Sequence, residues 1–205
     1  MLDNPHIPTI QGFPRKTLLS LKDDNQQTCL MIDESDLAFV DLDSSNSLVP
    51  TIRPNLIVLR TVTESHGWLG LGPNYFAAGN LDLHSFLARR FSPTLVPGWV
   101  QQTGLELVHQ EPTVQLEELA DFRHEILPQL QCHSHLKIIP GNAPYDLLKA
   151  TSELFATLGK QHSAIDLTMR WGEHYSGLTY NHLHFALWHH EGLQQFLSVL
   201  KQLEY

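Results

Sequence analysis

Residues 17–43 read TLLSLKDDNQQTCLMIDESDLAFVDLD, and the fold class turns on this stretch. Three short apolar segments stand out: Thr17–Lys22, Thr28–Asp33 and Leu37–Leu42. Turn-formers separate them, Asp23-Asp24-Asn25 first and Glu34-Ser35-Asp36 second. Short apolar runs divided by Asp, Asn and Ser clusters predict a meander of tight antiparallel strands. Upstream, residues 1–16 carry several prolines and read as an extended lead-in. Downstream, a looser stretch over 44–54 leads to a fourth strand over 55–63. Its Leu56-Ile57-Val58-Leu59 centre has the continuous apolar pattern of a strand buried on both faces.

Beyond this strand the character changes. Gly67, Gly70, Gly72, Pro73 and Gly79 fall close together with Trp68, Tyr75 and Phe76, which predicts an irregular, aromatic-rich loop. A helix is expected from Asn80, whose side chain suits an N-cap, with Leu83, Phe86, Leu87 and Phe91 along one face. Leu105–His109 has the look of one more strand. Leu116, Leu119, Ala120, Ile126 and Leu127 keep helical spacing up to Pro128, which would close or kink that helix. Leu136–Ile139 reads as a short strand. The clearest helical stripe is Leu147, Thr151, Leu154, Phe155 and Leu158, which predicts a helix over 144–158. Leu193, Phe196, Leu200 and Leu203 predict a terminal amphipathic helix after a break near Gly192, while 178–190 is open between helix and strand.

The whole predicts an α+β fold, an N-terminal antiparallel β meander packed by C-terminal α-helices. After the lead-in over 1–16, residues 17–205 read as a single domain. Possible subdomains are a β-rich 17–63 and an α-rich 80–205.

Composition bounds the function. The chain has 205 residues, 42% of them apolar and 17% charged, enough for a substantial core. Its net charge is −9, and no run of basic residues is present to neutralise phosphates. Nucleic acid and anionic membrane surfaces are therefore disfavoured partners. The N-terminus lacks the apolar stretch of a secretion signal, and no apolar run approaches membrane-spanning length, so a cytoplasmic protein is expected. Thirteen histidines would carry the net charge from −9 to +4 if all were protonated.

Three constellations could carry function. Seven acids, Asp23, Asp24, Asp33, Glu34, Asp36, Asp41 and Asp43, crowd the meander. On an exposed edge strand they would select a basic protein or peptide added as a further strand. Charged turns that discourage edge-to-edge aggregation are the plainer reading. Second, His133-Ser-His135 and His182-Leu-His184 are i, i+2 pairs, which share one face on a strand and separate on a helix. Cys132 adjoins the first pair and His189-His190 follow the second, so a metal could be pinched there. Cys29 reads as a small core residue. Third, Trp68, Tyr75 and Phe76 could rim a pocket for a small ligand. His162 and Asp166, four apart, suit an ordinary helical surface pair better than a catalytic dyad. Phosphate loops, nucleophile elbows and calcium loops have no match.

The favoured expectation is a non-catalytic binding or accessory protein that works through protein or peptide contacts and needs no cofactor. The alternatives are a histidine-ligated, metal-dependent enzyme holding a divalent transition metal, and a small-ligand carrier or sensor with an aromatic pocket.

Overall fold

The computed structural model describes residues 1–9, 11–40, 45–62, 66, 74–91, 95–110, 116–139, 145–161, 165, 169–186 and 190–203. The chain divides into two compact units, Met1–Ile7 with Gln11–Val114, and Pro8–Ile10 with Gln115–Tyr205. Both contain helices and a four-stranded sheet, so the α+β class stands. The division falls at 114/115, whereas the sequence pattern places a possible one near 64–80.

In the first unit the strands are β1 (Leu2–Asp3), β2 (Leu30–Asp33), β3 (Leu56–Thr61) and β4 (Asn74–Ala78), side by side in that order. β1, β2 and β3 run parallel, and only β4 is antiparallel to its neighbour. The expected antiparallel meander is therefore replaced. Parallel neighbours need a crossover of a dozen residues or more, and residues 17–22 belong to it. They lie within helix α1 (Arg15–Asp24), which returns the chain from β1 to β2. Leu18 and Lys22 are one turn apart and both buried, and Leu18 packs with Ile32, Leu48, Leu56 and Val58. The third expected strand is a short 3-10 turn, Leu37–Phe39, with Leu37 and Phe39 buried.

β3 behaves as its sequence requires. Leu56, Ile57 and Val58 are at most 3% exposed, so both faces of the strand are covered. Gly79, just past β4, is demanded by sterics: a Cβ there would lie 1.5 Å from the carbonyl oxygen of Arg53. Helix α2 (Leu81–Arg90) starts where expected, with the Asn80 side chain accepting the Leu83 amide at 2.7 Å. Asp82 in its first turn and Arg89 and Arg90 in its last complement the helix dipole. The strand expected at 105–109 is absent, because Leu105 and Leu107 belong to helix α3 (Gly98–Leu107).

The second unit holds α4 (Leu116–Gln131), β5 (Leu136–Ile139), β6 (Tyr145–Ala150), α5 (Ser152–Gln161), β7 (Met169–Trp171), β8 (His182–Ala186) and α6 (His190–Gln202). Its sheet has the order β5-β6-β8-β7 and is antiparallel throughout. α4 continues past Pro128 rather than ending there. The helix expected over 144–158 splits instead into β6 and α5. Leu147 and Leu148 are both 1% exposed, as befits a strand paired on both sides and covered on both faces. Helical spacing between Leu147 and Thr151 arises because two elements meet there. In α6, Leu193, Phe196, Leu197 and Leu200 are at most 2% exposed, and Gly192 lies inside the helix rather than before it. They join Leu148, Leu154, Leu158, Leu183 and Phe185 in one apolar cluster. Burial of each such side chain contributes about 1.5–3 kcal/mol. Among the described residues no helix is long and apolar enough to cross a membrane.

Phe196 is wholly buried and stacks on Phe185 with ring centroids 6.1 Å apart. Phe196→Ala should cost about 3–5 kcal/mol, read as a lowered urea midpoint. Phe86→Ala, at a half-exposed ring on α2, should change stability by roughly 0.5 kcal/mol or less.

Candidate functional site

Open α/β sheets bind ligands at the carboxyl ends of their parallel strands, because side chains and loops diverge there. In this chain that edge is formed by Asn4 after β1, Asp33 and Glu34 at the end of β2, and Thr61 ending β3. The backbone is pinned across it. The Asn4 amide donates to the Asp33 carbonyl at 2.8 Å, and the Glu34 amide to the Leu59 carbonyl at 2.9 Å. Asn4 is 1% exposed; its Oδ1 accepts the Phe13 amide at 2.7 Å and its Nδ2 donates to the Phe13 carbonyl at 3.3 Å. The loop after β1 is thus closed upon its own first residue.

Successive side chains on a strand point to opposite sides, and the two carboxylates at the end of β2 diverge accordingly. Glu34 turns inward and is 0% exposed. Its Oε2 accepts the Ser47 hydroxyl at 2.6 Å and lies 3.6 Å from an Arg60 guanidinium nitrogen, while Oε1 accepts the Leu48 amide at 2.8 Å. Asp33 turns outward. Its Oδ1 accepts the Ser35 amide at 2.9 Å and the Ser35 hydroxyl at 2.5 Å. Among the described residues its Oδ2 has no hydrogen-bond partner. A cavity of about 110 Å³ opens beside it, lined by Asp3, Pro5, Ile7, Asp33, Ser35 and Asp36. Among the described residues three carboxylates and no basic side chain line this cavity, so its field favours a small cation such as a primary ammonium group.

The seven acids singled out by sequence are scattered over different elements. Asp23 and Asp24 end α1, where Asp23 lies 3.9 Å from Arg53, an exposed pair worth little. Among the described residues Asp33, Glu34 and Asp36 gather at the carboxyl edge, and Asp41 and Asp43 lie outside those residues. β2, which ends in Asp33, is not an edge strand: β1 flanks it on one side and β3 on the other. Cys29 is exposed rather than part of the core, and Cys132 is exposed as well.

The histidines divide between elements. β8 is a strand, so His182 and His184 do share a face, as their spacing allows. His133 is buried in the turn before β5, and His135 Nδ1 lies 3.4 Å from Thr151 Oγ1 and 3.8 Å from Glu153 Oε2. β6 separates β5 from β8. Among the described residues no group of three or more His, Cys, Asp or Glu side chains could hold a metal ion. His189, His162 and Asp166 lie outside those residues. Of the aromatic trio, Trp68 lies outside them too. Tyr75 is exposed on β4, and Phe76 packs against His84 and Phe91 at 5.7 and 6.3 Å between ring centroids.

His184 has an environment its sequence does not announce. Tyr145 and Tyr175 approach its ring edge-on at 4.9 and 5.6 Å, and the Tyr175 hydroxyl lies 3.1 Å from Nδ1. Its Nε2 is buried with no hydrogen-bond partner among the described residues. Desolvation first, and the charge of Arg170 second, lower its pKa from 6.5 to about 4.

No family model matches the chain, and no curated protein matches it in sequence. Solved structures do match its fold. Against histidinol-phosphate aminotransferase from Clostridium acetobutylicum the TM-score is 0.81 at 20% identity, over 99% of this chain and 63% of that one. Against L-threonine-O-3-phosphate decarboxylase from Porphyromonas gingivalis it is 0.83 at 20% identity, over 100% of this chain and 64% of that one. Histidinol-phosphate aminotransferase from Sinorhizobium meliloti in complex with pyridoxal-5'-phosphate matches with a TM-score of 0.72 at 15% identity, over 98% and 57%. The chain therefore has the fold of these enzymes and spans less than two thirds of their length. The expectation of a non-catalytic accessory protein acting by peptide contact is overturned by this likeness and by the buried position of β2 in its sheet.

The cofactor named with the last of these structures can be tested against the residues present. Pyridoxal phosphate offers an aldehyde to a lysine amine, a ring nitrogen to a carboxylate, and a phosphate to cations or backbone N–H groups. Asp33 would suit the ring nitrogen. Two requirements go unmet among the described residues of this edge: no lysine lines the cavity to meet the aldehyde, and about 110 Å³ falls short of the roughly 300–1,000 Å³ typical of ligand pockets. The described residues lining this cavity do not fit the group.

The low pKa of His184 has a consequence for stability. The unfolded chain takes up the proton near pH 6.5 and the folded one only near 4, so stability is full above 6.5 and falls as the pH drops towards 4. Urea midpoints across that range should decline in the native protein and decline less in a His184→Gln variant. Equal slopes in the two would contradict the assignment.

Proposed function

We propose that this chain belongs to an enzyme of amino-acid chemistry, and that the carboxyl edge of β1 and β2 receives the ammonium group of a small amino substrate. The observation that carries this reading is the fold likeness, which extends over 99–100% of the chain to an aminotransferase and a decarboxylase. Their names specify histidinol phosphate and L-threonine O-3-phosphate, both primary amines. Asp3, Asp33 and Asp36 around one cavity give a primary ammonium group what it needs: negative charge and hydrogen-bond acceptors at close range. A unit charge pair at 4 Å is worth roughly 1 kcal/mol in bulk water and roughly 4 kcal/mol at the effective dielectric near a protein surface. Partial enclosure of the cavity decides between these limits.

Of the alternatives drawn from the sequence, the enzyme half of the metal-dependent reading agrees with this proposal. Its metal half gains no support from the scattered histidines.

Thermal shift and calorimetry test the reading. L-Threonine O-3-phosphate, L-histidinol phosphate and L-aspartate are compared with their N-acetyl derivatives, which lack the cation. The free amines should raise the melting temperature and the N-acetyl forms should not. Asp33→Asn, which can still accept the Ser35 bonds, should stay folded and lose about tenfold or more in affinity. Equal responses to amine and N-acetyl forms, or none to either, would overturn the proposal.

A further inference from the structure

We infer that this chain, despite its fold, supplies no lysine to bond with the aldehyde of pyridoxal phosphate, so that any such link in a working enzyme must come from an amine outside these 205 residues. The chain has only six lysines, Lys16, Lys22, Lys137, Lys149, Lys160 and Lys201, and all six are among the described residues. Four of them, Lys137, Lys149, Lys160 and Lys201, belong to the second unit and are exposed there. The described residues that line the carboxyl-edge cavity belong to the first unit.

The first unit contains Lys16 and Lys22, both on α1. Lys16 is exposed, and it stands two residues from buried Leu18, about 160° around the helix from the face that meets the sheet. It points to solvent. Lys22 is 5% exposed and is the stronger internal candidate. It lines a second cavity, about 210 Å³, with Leu21, Asn25, Thr28 and Leu30. That cavity lies at the amino end of β2, because Leu30 opens the strand, Thr28 stands two residues before it, and Asp33 closes it. α1 runs opposite to the parallel strands it joins, so its last turn is at the edge away from Asp33. The carboxylate suited to a ring nitrogen and the buried amine thus occupy opposite ends of one strand.

The inference rests on the likeness of fold and on where the lysines lie. It does not depend on substrate binding at Asp33. Reductive trapping tests it. If a lysine forms the link, its nitrogen adds to the aldehyde carbon and water leaves. Borohydride then delivers hydride to that carbon, a solvent proton goes to nitrogen, and the adduct becomes permanent. The folded chain is mixed with pyridoxal 5'-phosphate, reduced, and mapped by peptide mass spectrometry, with a lysine-linked aminotransferase as positive control. The expected result is substoichiometric labelling spread over exposed lysines and the N-terminal amine. Near-stoichiometric labelling of one lysine, abolished by its replacement with arginine (Lys22→Arg first), would overturn the inference. That outcome would leave the ammonium-binding proposal untouched, since the latter is measured with free amines and no aldehyde.

Discussion

The buried carboxylate of Glu34 ties the end of β2 to β3 and to the segment that connects them. With 0% exposure it is cut off from bulk solvent. It keeps its place only because the Ser47 hydroxyl, the Leu48 amide and the Arg60 guanidinium surround it. Those partners come from two parts of the chain. Arg60 belongs to β3, while Ser47 and Leu48 belong to the segment that connects β2 to β3. A charge buried without partners would cost several kcal/mol, so the end of β2, its neighbour strand and the connecting segment must fold as one. Leu48, 0% exposed, then completes the apolar cluster around Ile32, Leu56 and Val58.

Asp33 depends on this arrangement. Alternation along the strand sends it outward once Glu34 is fixed inward, and Ser35 holds one of its oxygens. The cavity beside it inherits its acidity from Asp3, Asp33 and Asp36, which come from two parallel strands and the turn that follows. This edge is where an open α/β sheet exposes diverging side chains to a ligand. The second unit contributes an antiparallel sheet under α4, α5 and α6. Within it, Arg123 of α4 pairs with Asp146 of β6, which is wholly buried.

The legible parts of the sequence were those with local signals. Asn80 announced its helix through N-cap chemistry, Leu56-Ile57-Val58 announced a doubly covered strand, and Leu193, Phe196 and Leu200 announced α6. The direction of the sheet was not legible. Thr17–Lys22 is short and apolar enough for a strand, and only its role as crossover between parallel β1 and β2 makes it helical. The same holds for Leu147, whose helical spacing to Thr151 conceals the junction of β6 and α5. Asp33 and Glu34 were visible as acids, but the meander reading placed them on an exposed edge. Their separation into an outward and a buried carboxylate depends on strand pairing with residues more than twenty positions away. The histidine pairs were visible too, and their spacing held no information about whether they converge.

We propose the carboxyl edge of the parallel strands as the ligand site. Amide chemical-shift mapping tests it most directly, with the isotopically labelled chain titrated with L-threonine O-3-phosphate. Saturable shifts are expected at Asp3, Asp33, Ser35 and Asp36, with His182 and His184 unmoved. Saturable shifts centred on β8, or none at the carboxyl edge, would contradict it.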